Sequence, residues 1–172
     1  MHDPRSVSIH LGMNIESNQK YHTIDIHQHS YILMIFANSR MDESRPLAMP
    51  MALQFHKRLP DKEACDPTIY ESILQSLMYA MTTTRPDIAY AIGVLSWYNH
   101  NLCHENMVAL KRVFRYLNGT KDWRLCFGGA LGGTLQGEST LGCYVNSDYA
   151  GCLDDYKSTS GLVITVRGVV DW

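Results

Sequence analysis

The sequence predicts an α+β fold, and three features of its hydrophobic spacing carry that prediction. Ser6 to Glu16 alternates apolar and polar residues, the signature of a half-buried strand. Between Asp66 and Gly119 apolar residues instead recur every three to four positions, as they do on helices with one buried face. After Gly119 the alternation returns. Strands, helices and strands follow as blocks rather than as repeating β-α-β units, which favours α+β over a parallel sheet.

In chain order, Val7, Ile9, Leu11, Met13 and Ile15 share one side of a strand over Ser6 to Glu16. Ser17-Asn18-Gln19-Lys20 supplies turn residues, and Tyr21 to Ile26 offers a second strand, giving an N-terminal β-hairpin. Gln28 to Ala37 reads as a short helix carrying Tyr31, Ile32, Ile35 and Phe36. Asn38 to Pro60 holds Pro46, Pro50 and Pro60 and reads as an extended linker, continued by a polar loop over Asp61 to Cys65. Asp66-Pro67 is then a cap followed by proline at the first helical position, where a missing N–H costs nothing. Ile69, Ile73, Leu74, Leu77, Met78 and Met81 form the expected buried stripe of that helix. Thr84-Arg85-Pro86-Asp87 restarts the pattern, with an acid in the first turn where the helix dipole favours it, and Ile88, Ile92 and Leu95 follow. A third helix of this central region runs from Glu105 to Leu117, with Met107, Leu110, Val113, Phe114 and Leu117 inward and Asn118-Gly119 as its stop. Arg124 to Phe127 is a short strand, and Gly128 to Gly137 a glycine-rich connection. Thr140 to Asn146 and Leu162 to Val166 complete a partial antiparallel sheet. A boundary near residues 130 to 138 divides the expected domains into 1–130 and 139–172.

The apolar content of 45% supports a packed core, and a net charge of −2 gives no global argument for nucleic acid. Any such case rests on a local patch. Cys65, Cys103, Cys126, Cys143 and Cys152 form no zinc spacing, and their odd number fits reduced thiols in an intracellular protein. No apolar run is long enough to span a bilayer, and the N-terminus lacks signal-peptide character, so no membrane partner is expected. His27 and His29 make a His-x-His pair, but no carboxylate or cysteine follows at ligand spacing.

Two groups of residues could carry chemistry. Lys111, Arg112 and Arg115 fall on one side of the third helix, opposite its apolar stripe, and Lys121 and Arg124 follow closely. From Asn101 to Leu125, five basic residues stand against two acidic ones, a patch suited to phosphates. The plainer alternative is a solvated helix face, and spacing alone favours it. Asp148, Asp154 and Asp155 are close in sequence, and phosphoryl chemistry with two metal ions needs converging carboxylates. Acids in a polar turn are more often caps and turn formers, which is the plainer reading here too. Trp97, Trp123 and Trp172 could stack on bases, though core or rim packing is the commoner use of such residues.

Several stretches resemble the copia-type retrotransposon Pol polyproteins, in that family's order. They are Leu11-Gly12-Met13, His27-Gln28 with Tyr31-Ile32, Arg45-Pro46 with Pro50-Met51, and Tyr70 with Ser76-Leu77-Met78-Tyr79. Thr84-Arg85-Pro86-Asp87-Ile88-Ala89-Tyr90-Ala91 and Ala109 to Thr120 match most closely. Cys143 to Gly151, followed by Lys157-Ser158-Thr159-Ser160-Gly161, resembles the opening of the family's ribonuclease H domain. The resemblance implies the C-terminal, thumb-like and connecting part of a reverse transcriptase over 1–130, then the first strands of a ribonuclease H-like sheet. It implies a parent that copies RNA into DNA and cleaves the RNA of the hybrid with Mg²⁺. The partners it implies are RNA–DNA hybrid or DNA and the remainder of the Pol polyprotein. The family's first metal-binding aspartate falls on Asn146, leaving Asp148 as the remnant metal position. Its polymerase signature and its later nuclease acids lie outside the chain, so the expectation is a fragment without activity of its own. Asn146, Met49, Trp97 and the run Met34 to Arg40 depart from the family pattern, as in a decayed or partial copy.

Overall fold

The structure is a computed structural model that describes residues 9–41, 43–52, 66–99, 102–128, 141–148, 158–166 and 169–172. It is α+β, with four α-helices and two antiparallel sheets among these residues. The chain divides into two compact units. One contains the strands within Met1–His27 and Arg124–Trp172, the other the helices within Gln28–Trp123.

The first sheet has the order β1-β2-β3-β4, built from Ile9–His10, Met13–Asn18, Thr23–His27 and Leu125–Gly128. The single strand expected over Ser6 to Glu16 is therefore two strands in its described part. Leu11 and Gly12 both take positive φ, 48° and 75°, and fold the chain so that His10 faces Met13 and Ile9 faces Asn14. A two-residue turn with positive φ at both positions matches the twist of a hairpin. Glycine adopts that conformation freely, whereas Leu11 leaves its side chain largely in solvent. The next turn falls two residues later than its spacing suggests. Asn18 still pairs with Thr23, and its side-chain oxygen accepts the N–H groups of Lys20 and Tyr21 at 3.1 and 3.3 Å. The strand after the helices pairs with β3, Ile26 facing Leu125.

The second sheet, β5-β6-β7, comprises Leu141–Ser147, Ser160–Val166 and Val169–Asp171. Its first two strands match the expected pair within a residue or two at each end, in register from Leu141 facing Val166 to Ser147 facing Ser160. The third strand had no distinct signal in so short a segment.

The helices are α1 (His29–Ser39), α2 (Pro67–Thr83), α3 (Ala89–Ser96, entered through a 3₁₀ turn Pro86–Ile88) and α4 (His104–Thr120). The Asp66 carboxylate accepts the Thr68 N–H at 2.9 Å and Pro67 opens α2, as the sequence predicts. Around α2 the buried stripe differs from expectation. Tyr70, Leu74, Leu77 and Ala80 are buried, whereas Ile69 and Met78 are exposed. At about 100° per residue, Ile69 and Met78 sit near the two borders of the stripe centred on Tyr70 and Leu74. Burial of the Tyr70 ring is allowed because its hydroxyl donates to the Leu95 carbonyl at 3.0 Å. The stripe on α4 is as read: Leu110, Val113, Phe114 and Leu117 are almost fully buried, and Phe36 meets Phe114 at 5.6 Å between ring centres. Each such side chain contributes about 1.5–3 kcal/mol through burial. The helix runs three residues past its expected end at Leu117, through the expected stop at Asn118-Gly119. Both remain helical, and α4 ends at Thr120.

Candidate nucleic-acid interface

The basic residues of α4 stand on the side away from that core. Helical spacing puts Lys111 and Arg115 one turn apart and Arg112 about 100° round from Lys111. Lys111 is exposed, and Arg112 and Arg115 are half-buried. The Arg112 Nε is enclosed and meets no hydrogen-bond acceptor among the described residues. Lys121, half-buried, occupies the C-terminal cap of α4, where a cation suits the helix dipole. Arg124 lies in the other unit. Its Nη1 donates to Glu16 Oε2 at 2.5 Å, with Asp25 Oδ2 at 3.8 Å. The hydrogen bond from His27, then that from Arg124 and its charge, hold the Glu16 carboxyl below the usual carboxylate range.

A strap of the proline-containing linker crosses the end of the basic helix. The Asn118 amide donates to the Ser44 carbonyl at 2.6 Å, and Arg115 Nε donates to the Arg45 carbonyl at 2.8 Å. The Leu47 N–H returns to the Arg115 carbonyl at 3.2 Å. A Cβ at Gly119 would lie 3.1 Å from the Pro46 Cβ, so the absence of a side chain there lets the strap approach. Asn118-Gly119, read from sequence as a stop signal, is thus a docking groove.

The buried arginine of this unit was not foreseen. Arg85, only 1% exposed, donates Nε and Nη2 to the two Asp87 carboxylate oxygens at 2.9 and 2.6 Å. Its Nη1 and Nη2 also reach the Thr120 carbonyl and hydroxyl at 3.0 and 2.5 Å, fastening the start of α3 to the end of α4. Tyr116 donates its hydroxyl to Asp87 at 2.7 Å, and the Tyr116 and Trp123 rings flank the guanidinium at 5.7 and 5.9 Å. Burial would raise the Asp87 pKa, but the hydrogen bond and charge of Arg85 and the Tyr116 hydroxyl outweigh it and hold the carboxyl low. Burial, then the adjoining Asp87 carboxylate, pushes the Tyr116 hydroxyl up to about 12. Beside this clamp, Thr84 donates its hydroxyl to the buried Gln28 side chain at 2.8 Å. The signal lay in the Thr-Arg-Pro-Asp run, where an arginine two residues before an aspartate across a proline can close a bidentate pair. Of the tryptophans, Trp123 and Trp97 are more than half exposed, and Trp172 is half-buried.

Asn146 lies on β5 opposite Gly161. Just beyond, Asp148 exchanges main-chain and side-chain bonds with Thr159: its N–H donates to the Thr159 carbonyl at 3.1 Å, and its carboxylate accepts the Thr159 N–H at 2.5 Å. Asp154 and Asp155 lie outside the described residues. No cluster of three metal-ligating side chains occurs among the described residues. His27 and His29 instead face acids, Glu16 at 3.2 Å and Asp122 at 3.0 Å. No described helix is long and apolar enough to cross a membrane.

Known proteins decide the family. The chain is 35% identical, over 94% of its length, to a retrovirus-related Pol polyprotein from transposon TNT 1-94 of Nicotiana tabacum. It is 37% identical, over 91% of its length, to the Pol polyprotein from transposon RE2 of Arabidopsis thaliana. An uncharacterized mitochondrial protein of Arabidopsis thaliana is 30% identical across the whole chain, which covers 68% of that relative. The chain belongs to the copia-type retrotransposon Pol polyproteins. As a Pol segment it spans 12% and 10% of the two transposon polyproteins. No family model and no solved structure matches it.

Proposed function

We propose that this Pol segment helps hold an RNA–DNA hybrid by its phosphates and performs neither polymerisation nor RNA cleavage itself. Residues 1–130 would be the C-terminal, thumb-like and connecting part of a reverse transcriptase, and 139–172 the first strands of a ribonuclease H-like domain. The observation that carries the reading is the α4 face: exposed Lys111, with Arg112 and Arg115 beside it, on a helix whose opposite side is locked into the core. Cations on a rigid element gain affinity by releasing phosphate counterions without first being ordered. Lys121 is a weaker member, since it caps the helix, and Arg124, which belongs to the other unit, is paired with Glu16. The inactivity of the isolated chain is supported by Asn146, which offers no charge to Mg²⁺, and by the engagement of Asp148 with Thr159. The rest of an intracellular Pol polyprotein would supply the catalytic acids.

Binding of the purified chain to a labelled RNA–DNA hybrid should weaken as salt rises, and Lys111→Glu should weaken it further and flatten the salt dependence. No binding at low salt would overturn the reading. Release of label from the RNA strand with Mg²⁺ or Mn²⁺, lost in Asp148→Ala, would overturn the proposed inactivity.

A further inference from the structure

We infer that Arg45, carried by the strap rather than by the helix, is a further phosphate-binding residue of the α4 face. The inference rests on the hybrid-binding reading above. Arg45 is exposed, and its own carbonyl accepts the Arg115 Nε at 2.8 Å, so its backbone is fixed beside the basic helix. The attachment is triple. Asn118 holds Ser44, Leu47 returns to Arg115, and Gly119 leaves room for Pro46. Pro46 also fixes its own φ and restricts Arg45 to extended backbone, which lowers the entropy cost of holding the side chain at the surface. The bond spent by Arg115 is therefore a latch. It occupies one guanidinium N–H with a neutral carbonyl while bringing a second full positive charge to the same face. Glu43 is exposed on the same strap and opposes that charge, so the contribution of the strap to an anionic ligand depends on Arg45. The face then draws cations from two segments far apart in sequence, which helical spacing alone could not reveal.

Hybrid binding by the full chain across a salt series tests this. Arg45→Ala should lower affinity about threefold at moderate salt and reduce the log–log salt slope by about 1, the loss of one phosphate contact. Gly119→Leu changes no charge but places a side chain where Pro46 sits. It should reproduce that loss, and combining it with Arg45→Ala should add nothing. A far-UV melt confirms that each variant remains folded. An unchanged slope in Arg45→Ala, with Lys111→Glu still damaging, overturns the role of Arg45 and leaves the hybrid-binding reading standing. A full loss in Arg45→Ala with none in Gly119→Leu overturns the strap as the positioning device. Failure of the unmutated chain to bind overturns both inferences.

Discussion

The helical unit and the β5-β6-β7 sheet are held together by different forces. In the helical unit Leu77, Leu110 and Leu117 are completely buried. In the sheet Leu141, Tyr144 and Val145 remain 69%, 68% and 71% exposed, although their strands are in continuous register. Backbone pairing contributes about 0.5–1.5 kcal/mol net per hydrogen bond, whereas ordering each residue costs about 1–2 kcal/mol. Register and stability are therefore separate achievements. The helices have both, while the sheet has register and a side-chain tie from Asp148 to Thr159.

The largest expected effect breaks the helical side of this contrast. Arg85→Ala removes the buried guanidinium that neutralises the half-buried Asp87 carboxylate and ties it to Thr120, and should cost about 3–5 kcal/mol in urea unfolding followed by circular dichroism. A loss below about 1 kcal/mol would show that the clamp does not secure α3 to α4. A smaller effect sharpens the same site. Tyr116→Phe removes a hydrogen bond to a charged acceptor and should cost about 1.5–3 kcal/mol near neutrality. It should also reshape the pH dependence. Because the folded Tyr116 titrates at about 12 rather than 10.0, its stabilisation is intact below pH 10.0 and declines as pH rises toward about 12. Asp87, held below its ordinary 3.8, contributes above that value and loses its contribution as pH falls through its lower folded value. Alkaline unfolding of Tyr116→Phe should decline less steeply between these two tyrosine values, Tyr31 being a second tyrosine whose burial raises its pKa; an identical limb would refute the coupling. The smallest effect belongs to the sheet. Val145→Ser should change stability by no more than about 0.5 kcal/mol, since an exposed side chain has little burial to lose. A cost above about 2 kcal/mol would mean that this face is covered in solution.

What could be read beforehand followed local rules. Asp66-Pro67 announces α2 because capping is decided within four residues. The α4 stripe is equally legible, because Leu110, Phe114 and Leu117 recur at the helical period. Leu11 was misread because alternation places it in a strand, while its positive φ is set by the hairpin it helps to close. Arg85 escaped notice as a core residue because a charge is ordinarily assigned to solvent. Its burial depends on Asp87 nearby and on Thr120 far along the chain. The basic α4 face was visible from spacing, but the strap was not, since Gly119 looks the same whether it ends a helix or admits a neighbour.

The pairing of Ile26 with Leu125 has a topological consequence. The helical unit leaves the sheet from β3 and returns to it through β4, so its entry and exit lie on adjacent strands. It is spliced into the sheet as a cassette. The β3–β4 contact spans the entire helical unit in sequence and carries the largest loop-closure cost in the first sheet, which sets an order of assembly: helices first, then the β3–β4 pairing. The same geometry makes residues 28–123 a natural unit for excision, with a short loop joining His27 to Arg124 in their place.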